Sequence, residues 1–87
     1  MTKQVSEKIL KLNVMFQPEP EGGYTVVVPS LPGCVTYGQT LEEARKMAVD
    51  AISGFIDVLR EDGEDIPNDE ESFVSTLSFK FSRIVTA

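Results

Sequence analysis

Residues 22–59, GGYTVVVPSLPGCVTYGQTLEEARKMAVDAISGFIDVL, carry a strand, a stop, a tight turn, a short strand and a capped helix in that order. Residues 24–28 are aromatic and β-branched, which suits a pleated, half-buried surface. Pro29 ends the run because it has no amide to give a ladder. In Leu31-Pro32-Gly33-Cys34 the proline presets φ at the second turn position, and the glycine takes the positive φ that a type II turn needs at the third. The chain reverses there into a short strand over residues 35–37. Gly38 and Gln39 then lead to Thr40, which with Glu43 has the spacing of a capping box.

The spacing predicts a helix over residues 41–62. Leu41, Ala44, Ala48, Ala51, Ile52, Phe55 and Leu59 recur at three- and four-residue intervals, with charged and polar residues largely on the other side. Gly63 suits the left-handed position just past the helix end, and Pro67 follows shortly. Ahead of this stretch, residues 9–17 alternate, with Leu10, Leu12, Val14 and Phe16 on one face, and so read as the first strand. Residues 18–23, PEPEGG, read as a hairpin loop rather than a phosphate cradle, since they hold two carboxylates and no lysine. After a polar loop the alternation returns, with Phe73, Leu77, Phe79 and Phe81 on one face, and predicts a last strand most firmly at residues 76–83. The expected fold is α+β, in the order β-β-β-α-β. One long amphipathic helix covers one face of a mostly antiparallel four-stranded sheet, with the last strand added at an edge.

Three separated blocks, FQPEPEGGY at 16–24, VPSLPGCVT at 28–36 and GQTLEEA at 38–44, closely resemble the HicB-like antitoxin family over about residues 14–67. The resemblance implies a partial RNase H-like unit and a partner, an mRNA-cleaving toxin called HicA, that the chain neutralises. Many members carry a DNA-binding segment after this domain. This sequence ends at Ala87, soon after the last predicted strand, so direct binding to its own operator is not expected.

An 87-residue chain corresponds to one domain, and an apolar fraction of 41% supports one modest core. There is no histidine, and Cys34 is the single cysteine, so neither a disulfide within the chain nor a usual zinc site is expected. The commonest general base is also missing, which removes Ser-His and Cys-His chemistry. Cys34 itself reads as a small apolar residue after a turn. The polar N-terminus lacks the apolar run of a signal peptide, and no segment approaches the ~20 apolar residues of a membrane span, so the expected location is the cytoplasm.

The resemblance to an RNase H-like fold raises catalysis, and the residues argue against it. Nucleases of that fold gather carboxylates around two metals, one carboxylate coming from the middle of the first strand. Here that strand offers Asn13 and no Asp or Glu. Glu42 and Glu43 are explained by the helix cap and dipole. The chain therefore reads as a non-enzyme without cofactor or metal.

Net charge is −6, and eight carboxylates crowd residues 57–71 where Arg60 is the single cation. Such a segment repels a phosphate backbone, so nucleic acid is not an expected direct ligand. Glu61, Asp62, Glu64 and Asp65 are the candidate contact residues for a basic partner, against the plainer reading of a solvated loop. One helix covers only one sheet face, which leaves Ile9, Met15, Thr25 and Val27 as an open face that is either simply wet or an oligomer interface. With the late strand bearing Phe79 and Phe81, it makes a homo-oligomer, dimer or tetramer, the expected state. Two functions fit: an antitoxin that masks a HicA-like toxin, or a stand-alone binding or regulatory module of the same fold.

Overall fold

The computed structural model describes residues 9–83. Three strands, β1 (Met15–Pro18), β2 (Tyr24–Val27) and β3 (Val35–Gly38), form an antiparallel sheet in that order, followed by helix α1 (Leu41–Glu61). The Leu31–Cys34 reversal forms as the sequence predicts. The Cys34 amide donates to the Leu31 carbonyl at 2.9 Å, and Gly33 sits at φ 90°, where a side chain is strained.

Both helix ends follow from local chemistry. The Glu43 amide donates to the Thr40 hydroxyl at 3.1 Å, which satisfies one of the four amides a helix start leaves free. At the other end Gly63 takes φ 69°, the Glu64 amide donates to the Leu59 carbonyl and the Gly63 amide to that of Arg60. This pair of bonds is the Schellman arrangement, and it stops the helix one residue before the predicted end.

The helix lies mainly over β3 and β2. It comes close because its buried stripe is small there: Ala44 and Ala48 rest on Val26, with Val14, Phe16 and Tyr24 around them. Gly38 completes the fit, since a Cβ on it would meet the Ala44 backbone nitrogen at 2.3 Å. Farther along, Ala51, Ile52, Phe55 and Leu59 close over Val28, Leu31 and Cys34. Leu41, expected on the buried stripe, is half exposed.

Two expected strands differ. The first was predicted over residues 9–17 but pairs from Met15 to Pro18. Register explains this: Met15 lies opposite Val27, so Asn13 would face Pro29, which ends the partner strand. The backbone of residues 11–13 bonds instead to the loop after the helix.

The fourth strand predicted at 76–83 is not formed, and the sheet has three strands among the described residues. Residues 70–83 are exposed throughout. Alternation makes a segment fit for a sheet, but a strand exists only where a neighbour takes its backbone hydrogen bonds, and this segment has no such neighbour within the described protomer.

Candidate interaction surface

The sheet has one covered face and one open face. Phe16, Val26 and Thr36 align across the strands on the helix side. On the other side the register builds two rows, Met15–Val27–Val35 and Gln17–Thr25–Tyr37. Met15, Val35 and Tyr37 are 49%, 58% and 41% exposed, so this face is both apolar and open to water. Met15, Thr25 and Val27 are expected there from the sequence. Val35 and Tyr37, not among the residues expected there, join them, and their alternation from the buried Cys34 is the sequence signal for it. Ile9, also expected on this face, lies outside β1 and is exposed at 82%.

Glu61, Asp62, Glu64 and Asp65 gather at the C-terminal end of α1, and all four are exposed. Glu61 closes the helix, Asp62 caps it, and Glu64 and Asp65 follow the Schellman turn. Among the described residues no cation pairs with any of them; the ion pair present is Lys46 with Glu42 at 4.0 Å, at the other end. Carboxylates at this end face the negative pole of the helix dipole, which is unfavourable.

A third feature was not foreseen. Asp69 reaches across the molecule and clasps the chain ahead of β1 to the turn after β2. Its carboxylate accepts from the Asn13 amide at 2.8 Å and from the Ser30 hydroxyl at 2.6 Å. Its own amide donates to the Lys11 carbonyl at 2.7 Å. Asn68 assists, accepting from the amides of Lys11 and Glu70. The Ser30 hydroxyl, and after it the Asn13 amide, hold the Asp69 carboxyl below its ordinary range. The clue in the sequence was Asn68-Asp69 after Pro67, a pair that favours turns and local caps.

Asp69 brings one carboxylate to the Asn13 amide, where a two-metal site would need several. Among the described residues no three Asp, Glu, Cys or His side chains come together around a point that could hold a metal ion. Cys34 is buried against Val28 and Leu31, and burial pushes its thiol up, away from the reactive thiolate.

The third surface is a groove. Because α1 sits over β3 and β2, the helix side of the edge strand β1 is incompletely covered. A cavity of about 330 Å³ opens there, lined by Val14 and Phe16 below and by Arg45, Ala48, Val49 and Ile52 of the helix.

The sequence model described as "HicB_like antitoxin of bacterial toxin-antitoxin system" matches residues 12–82. This chain belongs to the HicB-like antitoxin family. The match takes in the sheet, the helix, the Asp69 clasp and nearly all of the exposed segment after it. The chain is 42% identical over 60 residues to Antitoxin HicB 1 of Photorhabdus laumondii, an alignment that covers 69% of this chain and 39% of that protein. It is 40% identical over 58 residues to Antitoxin HicB of Escherichia coli, covering 67% of this chain and 42% of the relative. A UPF0150 protein of Thermoplasma acidophilum is 40% identical over 60 residues, covering 69% of this chain and 87% of its own length. The HicB-like region thus spans about two fifths of the two antitoxins and most of the archaeal protein. No helix among the described residues is long and apolar enough to cross a membrane.

Proposed function

We propose that this protein is a non-catalytic antitoxin that binds a HicA-like, mRNA-cleaving toxin and masks its RNA-cleaving surface in the cytoplasm. Membership of the HicB-like antitoxin family carries the reading. Masking needs shape and charge and no reacting group. The acidic end of α1 supplies the charge: Glu61, Asp62, Glu64 and Asp65 steer a basic toxin. The unfavourable placement of these carboxylates at the negative end of the helix is relieved when lysines or arginines of a partner arrive. The same charge keeps nucleic acid away, so the chain acts on the toxin rather than on RNA or DNA.

The protein works as a homo-oligomer, a dimer or tetramer, and residues 1–87 act as a single HicB-like domain. Its partial RNase H-like sheet gains a fourth strand on assembly. Two alternative surfaces support self-association: the half-exposed apolar sheet face, or the exposed alternating segment beyond residue 72.

A second reading is a stand-alone binding or regulatory module of the same fold without a toxin partner; the match to a UPF0150 protein, 87% of whose length is covered, is compatible with it. Growth separates the two. If the neighbouring gene encodes a small basic toxin, its expression alone should arrest growth and its expression together with this chain should restore it. Arrest that this chain does not relieve, or a neighbour without toxicity, supports the second reading.

A further inference from the structure

The chain exposes two unfilled elements that match each other. One is the outer edge of β1, which ends the sheet and borders the groove between Val14 and Phe16 and the helix residues Arg45, Ala48, Val49 and Ile52. The other is the segment from Phe73 onward, in which Leu77, Phe79 and Phe81 alternate on one face and are 71%, 83% and 82% exposed. An unpaired edge with an apolar flank is a template for an extended segment, and an alternating apolar segment is what such a template takes.

We infer that the segment 73–83 of one copy pairs with the β1 edge of a second copy and sets Leu77, Phe79 and Phe81 into its groove. This inference rests on the self-association in the reading above and names its site. Size agrees. A cavity of about 150 Å³ takes a benzene ring, so 330 Å³ has room for two aromatic side chains. The direction of the chain points to a second copy. Asp69 clasps the segment's root to Lys11 and Asn13, beside the start of β1, and the Ser72 amide then turns back to the Asp69 carbonyl at 2.9 Å. From there the chain runs exposed to residue 83 without entering the groove of its own protomer. Exchange between two copies fills both grooves, pairs both edges and closes the assembly with two-fold symmetry. The fourth strand of each sheet is then supplied by the partner.

The test uses disulfide trapping and sedimentation on the full chain. Val49 lies in the groove and is 65% exposed, and Phe79 is on the free segment, so replacing either with cysteine leaves the fold intact. An equimolar mixture of the Val49→Cys and Phe79→Cys proteins, mildly oxidised, should form a covalent pair containing one chain of each. Phe79→Asp with Phe81→Asp should halve the sedimenting mass without changing the helical circular dichroism. Val35→Asp on the open sheet face should leave the mass unchanged. A bond within one chain when both cysteines share a polypeptide, with none between chains, would overturn the exchange in favour of docking within the protomer. A dimer that survives the double aspartate change and is broken by Val35→Asp would overturn it and keep self-association through the open face. A wild-type monomer at micromolar concentration would overturn both.

Discussion

Gly38→Ala tests the close approach of helix and sheet. Gly38 needs no unusual backbone angle; what it supplies is room. A Cβ there would lie 2.3 Å from the Ala44 nitrogen, 2.5 Å from its Cα and 2.9 Å from its Cβ. Ordinary packing separates carbon atoms by about 3.5–4.0 Å, so the first turn of α1 must recede by roughly 1 Å. The obstacle is backbone, held by the bond from the Ala44 amide to the Thr40 carbonyl at 2.8 Å, and it cannot rotate aside as a side chain can. Overpacking costs about 1–3 kcal/mol and occasionally more. With backbone as the obstacle, and with Ala44 and Ala48 drawn off Val26, the loss should be about 3 kcal/mol. For a domain of this size that lowers the melting temperature by roughly 12–24 °C. Thermal and urea unfolding followed by circular dichroism measure it, and the midpoint should move with little change in denaturant slope. A melting temperature within about 2 °C of wild type would refute the packing argument.

Gly54→Ala should do the opposite. Gly54 is exposed in mid-helix with nothing near its missing Cβ, so alanine should add about 0.8–1 kcal/mol and raise the melting temperature by about 4–8 °C. Leu31→Ala should cost about 2–5 kcal/mol in the same urea titration, because Leu31 is fully buried under Phe55 and Leu59. The Asp69 clasp should be acid-sensitive. Its carboxyl titrates lower in the folded protein than its ordinary 3.8, so its contribution is complete above that value and is lost as pH falls through the lower folded value. The gap in melting temperature between wild type and Asp69→Ala should thus be constant near neutrality and shrink below about pH 3.8; a gap that does not change with pH contradicts the clasp. Replacing Glu61, Asp62, Glu64 and Asp65 by their amides should slow association with a basic toxin and flatten its salt dependence, and unchanged stopped-flow rates at low and high salt would assign these residues to solubility alone.

What the sequence discloses about this fold is what neighbouring residues decide among themselves. Thr40 caps a helix wherever Leu41 and its successors start one, Pro32-Gly33 turns the chain unaided, and Gly63 closes the helix with its own adjacent carbonyls. Partnerships across the molecule are less visible. The first strand looks long because residues 9–14 alternate, but its length is set by Pro29 on the strand opposite. Gly38 reads as a linker before Thr40, yet its role is to admit Ala44, six residues later in the chain. Asp69 reads as one carboxylate of an acidic run, and its bonds to Asn13 and Ser30 span 56 and 39 residues. The alternation of Phe73, Leu77, Phe79 and Phe81 announces a strand without naming its neighbour. Among candidate contact residues, exposure of the acidic group at the helix end was legible from charge alone, while Val35 and Tyr37 on the open face required the register.

The central claim is that this chain neutralises a toxin by covering it. The direct measurement is RNA cleavage by a purified HicA-like toxin, the product of the adjacent gene if that gene encodes one, titrated with this chain. Cleavage should fall to background at a fixed whole-number ratio of the two proteins, in a complex that survives gel filtration, and the chain alone should leave RNA intact. Undiminished cleavage with the chain in excess, or a toxin that elutes free of it, would contradict the account.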